Sequence, residues 1–129
     1  MLDKSLPKSL KSHCFLRVPA REKVWAVHAK ISQMPLDKLR WQFTLPFWRH
    51  GKKKYALTPR EVLNNPRRYR YHYRRILAAD LKYPLDIARN QHGKWEILDG
   101  LHRLAKAELL GMKKIKVRII SSQQFKKLL

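Results

Sequence analysis

The chain has 129 residues, and at 44% hydrophobic content it can bury one ordinary core but not two. Thirty Lys and Arg against nine Asp and Glu give a net charge of +21, so the natural partners are polyanions: nucleic acid, free nucleotides or anionic membranes. A single cysteine excludes an internal disulfide and a multi-thiolate metal site, and no run of about 18 apolar residues or secretory h-region exists, so a cytoplasmic protein outside the membrane is expected.

Residues 1–20 carry Lys4, Lys8, Lys11 and Arg17 among serines, which predicts a flexible basic arm, with Cys14 a buried or idle thiol, ahead of one domain over 21–129. The alternation in "KVWAVH", with Val24, Ala26 and His28 on one side, predicts a first strand. "SQMPLDKLRW" reads as loop plus short helix, with Pro35 in the first turn and Leu36, Leu39 and Trp41 turned to the core. "WRHGKKKYALT" reads as a charged loop.

"LTPREVLNNP" has Thr58 as N-cap, Pro59 at N1 and Glu61 at N3, a capping box opening a helix over 59–64. Pro66 then opens a second helix to about Ala79, with Tyr69, Tyr73, Ile76 and Leu77 at helical spacing. The rest of its surface bears Arg67, Arg68, Arg70, Arg74 and Arg75, with Glu61 as the one nearby counter-charge, and Tyr71 as its exposed aromatic. Such a cluster exceeds what solubility needs and predicts an anion-holding face, for a nucleotide or for a nucleic acid backbone.

"PLDIARNQHGKWEILDG" reads as a hairpin, followed by a helix from Leu101 to the left-handed cap Gly111, an alternating strand "KIKVRII" and a short terminal helix. The seam between strand and helix, "DGLHR", concentrates the chemistry. A helix start exposes unpaired N–H groups with a partial positive charge, and there Gly100 allows close approach of a ligand. Arg103 can grip phosphate through two donors, and His102 supplies a donor of adjustable charge. Asp99 either caps the helix, holds Mg²⁺ or serves as a base; the plain alternative makes the whole turn an N-cap with solvated first-turn residues.

Residues 84–120 resemble the core of the ParB/sulfiredoxin-like family: a strand pair, a D-G-x-H-R type turn, an alanine-bearing helix, a glycine and a final strand. The resemblance implies an α+β fold with a small mixed β-sheet and flanking helices. It also implies that ATP or another nucleoside phosphate is held by Gly100, Leu101, His102 and Arg103. Asp99 matches the acid of the D-G-H-H-R turn in free serine kinases of this fold, which implies catalytic roles for Asp99 and His102. Two departures matter. Leu101 stands where sulfiredoxins carry their nucleophilic cysteine, and the turn lacks the G-E-R-R of chromosome-partitioning ParB proteins, which also carry a helix-turn-helix after it.

Two other acids remain open. Asp80, at the end of the arginine helix, is expected to pair with an arginine such as Arg75, or else to enter the site. Asp86, on the strand beside the motif, either joins Asp99 in holding Mg²⁺ or points to water. The histidines show no H-x-x-x-H spacing, which argues against a preformed zinc site. The leading expectation is a nucleoside-phosphate-binding protein that acts as a Mg²⁺-dependent phosphotransferase or hydrolase; the alternatives are a DNA- or RNA-binding protein or nuclease, and an adaptor without chemistry.

Overall fold

A computed structural model describes residues 6–129. In chain order it contains α1 (Lys8–Lys11), α2 (Arg21–Trp25), β1 (Ile31–Pro35), two 3₁₀ turns (Leu36–Lys38 and Arg40–Thr44), β2 (Trp48–His50) and β3 (Lys53–Leu57). Then follow α3 (Pro59–Asn64), α4 (Arg70–Ala78), β4 (Leu85–Arg89), β5 (Trp95–Asp99), α5 (Leu101–Leu109), β6 (Lys114–Ile119) and α6 (Ser122–Leu128). The fold is α+β: a four-stranded mixed sheet in the order β1-β6-β4-β5, with flanking helices and a separate β2–β3 hairpin. Only β4 and β6 run parallel, joined by a crossover through α5. No helix among the described residues is long and apolar enough to cross a membrane.

Strand alternation divides the interior. Leu85 and Ile87 of β4 pack in a main core with Val62, Ile76 and Leu104, whereas Ala88 joins a second cluster with Val24, Ile120 and Phe125. Leu36, Leu39 and Phe43 of the 3₁₀ turns are fully buried in the main core. Beside them, buried Gln42 serves the exposed edge of β5: its amide N–H₂ donates to the Trp95 carbonyl at 3.3 Å and its Oε1 accepts from Ile97 N–H at 2.8 Å. A side chain thus supplies the partners that a fifth strand would have given. Glu108 of α5 accepts from Arg40 at 3.0 Å and Arg60 at 2.8 Å, tying the second 3₁₀ turn and α3 to the same helix.

The elements from Thr58 onward follow expectation closely. Thr58 and Glu61 close their capping box, and Gly111 takes a φ of 71° after α5. The helix expected from Pro66 starts at Arg70, with residues 66–69 in turns, and Leu77 faces solvent at 50% exposure. Arg118, expected on the solvated side of its strand, is instead folded inward, while Ile119 is 38% exposed.

Before Thr58 the expectations need correction. Val24–His28 is not a strand: Arg21–Trp25 is helical, because Arg118 reaches over and takes the Val24 and Val27 carbonyls at 3.2 and 2.8 Å, removing their need for a ladder. The first strand is Ile31–Pro35, an edge where only Met34 is buried, so no apolar alternation announces it. Pro35 both ends that strand and stands as N-cap of the short 3₁₀ helix Leu36–Lys38, so the expected short helix is present but the expected loop before it is a strand. The charged loop at 48–57 is the β2–β3 hairpin, turning at Gly51 with φ 59°, and its largely exposed side chains carry no period-2 signal.

The expected arm begins with residues 1–5, which lie outside the described residues. From Leu6 onward the segment is held down: Leu10 and Cys14 are each 2% exposed and pack against Leu45 and Trp41. Asn90 and Gln91 donate to the His13 and Cys14 carbonyls, each at 2.8 Å, and Phe15 N–H donates to Glu96 at 2.7 Å. Burial pushes the Cys14 thiol up to about 12, with Glu96 adding to the rise.

Candidate functional site

Gly100 joins β5 to α5 with φ at 114°, a conformation L side chains rarely adopt. A Cβ there would meet Leu85 Cδ2 at 2.7 Å and Arg103 Nη2 at 3.0 Å. The turn therefore requires glycine on two grounds. No described side chain caps α5, which sets aside the plain N-cap reading of Asp99, and a cleft of about 1010 Å³ opens onto this helix end. Gly100, Leu101, His102 and Arg103 all line it, with Arg21 and Trp25 of α2 on one wall and Arg75 and Asp80 on another.

On the acid side, Asp99 Oδ2 accepts from the Trp25 indole at 2.8 Å and from Arg103 Nη2 at 3.3 Å, and Arg21 stands 3.9 Å from Oδ1. Arg103 also donates to the Pro84 carbonyl at 2.6 Å, so its guanidinium is pinned between strand end and loop. Asp86, cross-strand partner of Asp99, lies 3.2 Å from Arg118 Nε, but the two atoms are misaligned for a hydrogen bond and both are buried. Burial raises the Asp86 pKa against the pull of Arg118, and Asp99 adds to the rise.

Those contacts bear on Mg²⁺. Each carboxylate named as its ligand faces a guanidinium, and among the described residues no group of three His, Cys, Asp or Glu could hold a metal ion. A Mg²⁺ at Asp86 or Asp99 would therefore have to displace a guanidinium already paired with that carboxylate. Asp80 was expected to pair with Arg75. Instead its Oδ1 accepts from Lys82 N–H at 2.9 Å just past the end of α4, which leaves it the cleft carboxylate without an ion pair among the described residues.

On the opposite side of the turn, His102 stacks on buried Trp48 with centroids 4.2 Å apart, and His72 of α4 stacks on the same indole at 4.8 Å. His102 Nε2 lies 3.1 Å from His72 Nδ1, and His72 Nε2 lies 2.7 Å from the Arg49 carbonyl oxygen. Burial, then the charge of Arg75, holds the His102 pKa down to about 3. Burial likewise lowers that of His72, against the hydrogen bond to Arg49. Both rings are neutral at pH 7.

The arginine cluster divides. Arg67, Arg68 and Arg70 line a second cavity of about 470 Å³ together with Arg49 of the β2–β3 hairpin and exposed Tyr71. Arg75 belongs to the first cleft and lies over the Tyr71 ring at 5.9 Å, whereas Arg74 is exposed and lines neither cavity. Among the described residues none of these five arginines has a carboxylate partner. Sequence reading missed Arg21, Trp25, Trp48 and Arg118 as parts of the site. They come from up to 78 residues before the turn and 15 after it, and no local pattern marks them.

No family model matches the chain, and no curated protein matches it in sequence. Among solved structures, the crystal structure of sulfiredoxin from Arabidopsis thaliana is similar at 17% identity, covering 76% of this chain and 94% of that one, with a TM-score of 0.36. A likeness that loose leaves the function to be argued from the residues of this chain.

Proposed function

We propose that the protein binds a nucleoside phosphate, with its phosphates over the N-terminus of α5. The carrying observation is the uncapped start of α5, reached through Gly100 from a cleft whose rim bears Arg21 and Arg75. The Leu101, His102 and Arg103 amides and the helix dipole favour an anion there, and the guanidinium groups of Arg75, which has no carboxylate partner among the described residues, and of Arg21, held loosely at 3.9 Å from Asp99, raise its local concentration. Arg103 already lies against the turn, so an arriving phosphate competes with Asp99 for a guanidinium in place. Exposed Trp25 and Tyr83 offer flat walls for a base.

The reading stops at binding. Asp86 and Asp99 are ion-paired and His102 is a weak base, so of the described residues lining the cleft only Asp80 offers a carboxylate outside an ion pair to activate an acceptor for phosphoryl transfer. A thermal shift panel of ATP, GTP, CTP and tripolyphosphate tests the proposal: the wild type is expected to gain stability with at least one, and Arg103→Ala to lose that gain. An Arg103→Ala protein that folds and keeps the full gain refutes the assignment.

One observation favours a second reading, polynucleotide binding: the cavity with Arg49, Arg67, Arg68 and Arg70 places four guanidinium groups without a carboxylate partner among the described residues beside an exposed tyrosine. Its mark is a steep salt dependence, with log affinity falling by about 0.7 per phosphate neutralised on a single strand.

A further inference from the structure

The Trp48–His72–His102 stack sets the direction of its hydrogen bonds. A carbonyl oxygen only accepts, so His72 donates to Arg49 through Nε2. Neutral His72 then carries a lone pair on Nδ1, and His102 donates to it through Nε2. Neutral His102 must in turn leave its own Nδ1 without a proton. No described residue bonds that nitrogen, and it is not sealed in: the buried side-chain polar atoms without a partner, among the described residues, are Asp86 Oδ1 and Arg118 Nε. His102 lines the cleft, and Nδ1 is the ring nitrogen left to face it.

The geometry points to His102 Nδ1 as the group that reads a hydroxyl: a nucleoside phosphate in the cleft places an alcohol O–H of its sugar against this nitrogen and its phosphates on the α5 amides. The inference rests on the nucleotide-binding reading and sharpens it. Phosphate oxygens present lone pairs, as bare Nδ1 does, so the two repel; a hydroxyl donates and matches. The resemblance implied a phosphate contact for His102, and the direction of the chain assigns it the opposite polarity. His72 is a positioning residue: it holds the His102 tautomer and touches no ligand. Trp48 stacks on both rings, its plane within 11° of each, and holds them side by side for the hydrogen bond between them.

Two measurements test this. Long-range ¹H–¹⁵N spectra of the imidazole rings, recorded without ligand at pH 7, are expected to show both histidines as Nε2–H with bare Nδ1; a proton on His102 Nδ1 overturns the assignment. Calorimetry with ATP, 2′,3′-dideoxy-ATP and tripolyphosphate then asks what the nitrogen reads. Loss of one well-placed hydrogen bond is expected to weaken wild-type binding of the dideoxy form about tenfold relative to ATP. His102→Phe keeps a ring on Trp48, removes both nitrogens and is expected to bind the two nucleotides alike. His72→Phe releases the tautomer, and the spectra are expected to report a His102 mixture with discrimination reduced. Equal wild-type affinity for ATP and its dideoxy form overturns the hydroxyl assignment and leaves nucleotide binding standing. Failure of ATP and tripolyphosphate alike to bind sinks nucleotide binding, and the hydroxyl assignment with it.

Discussion

The two cavities beside α4 hold their charge differently. In the cleft at α5, Arg103 and Arg118 are fastened by Asp99, Asp86 and backbone carbonyls, so donors and acceptors stand at fixed points. In the cavity under the hairpin, four arginines face open space with no carboxylate partner among the described residues. Fixed groups select by shape and polarity, whereas unfastened guanidinium groups attract any polyanion and are screened by salt. The two proposed readings thus give one basic chain a discriminating surface and an undiscriminating one.

The sharpest way to separate them is Gly100→Ala. Forcing a side chain into that backbone conformation and against Leu85 is expected to cost about 1–3 kcal/mol, read in urea unfolding, and to close the cleft to ATP. Oligonucleotide binding by the folded fraction should persist. Loss of both together would show that the two surfaces are one.

Next in size is Arg67→Ala, Arg68→Ala, Arg70→Ala. Removing three phosphate contacts is expected to flatten the salt slope for single-stranded DNA by about 2. Tripolyphosphate binding should be unmoved, since none of the three residues lines the cleft.

A smaller effect, on pH, tests the frame that carries both. Glu96 is pushed up to about 7 by burial, against donors from Asn90 and Phe15, so it holds a proton better folded than unfolded. Its contribution is whole below its ordinary 4.5 and is lost as pH rises through about 7. His102 has the opposite sign: held at about 3, it contributes fully above its ordinary 6.5 and loses that contribution as pH falls toward 3. Between 4.5 and 6.5 the two slopes oppose. In that window Glu96→Gln is expected to make stability rise with pH and His102→Phe to make it fall, as read from thermal midpoints. Slopes of the same sign in both variants would contradict the burial assigned to one of them.

The smallest effect is at Cys14. With its thiol buried and pushed up to about 12, it should resist a thiol reagent at pH 8 until the segment around α1 opens. Immediate labelling of the native protein would show that α1 is not docked.

How much could be read from the residues follows from how local each cause is. The β4–β5 hairpin, α5 and β6 announce themselves because Leu85 and Ile87, Ile115 and Val117, and Gly111 act within a few residues of one another. Helix α2 defeats the alternation of Val24 and Ala26 because its cap is Arg118, 94 residues away from Val24. The hairpin at 48–57 stands outside the main sheet with mostly polar faces and leaves no pattern. The same divide runs through the site. The turn from Asp99 to Arg103 was legible, but what Asp99, Arg103 and His102 touch was not, because Trp25 reaches Asp99, Pro84 reaches Arg103, and His72 and Trp48 reach His102 only through the tertiary fold.

The strand order has a consequence for how the chain acquires its shape. β6, the last strand in chain order among the described residues, sits between β1 and β4, pairing Ile31 with Arg118 and Leu85 with Val117. Without residues 114–119 in place, β1 has no neighbour in the sheet and the β4–β5 hairpin has a raw flank. Closure of such distant contacts is slow, because the intervening loop entropy is lost before any pairing repays it. The sheet therefore closes around residues 114–119: β1 and the β4–β5 hairpin meet only through that strand, and bringing them to it is the most non-local step the topology demands.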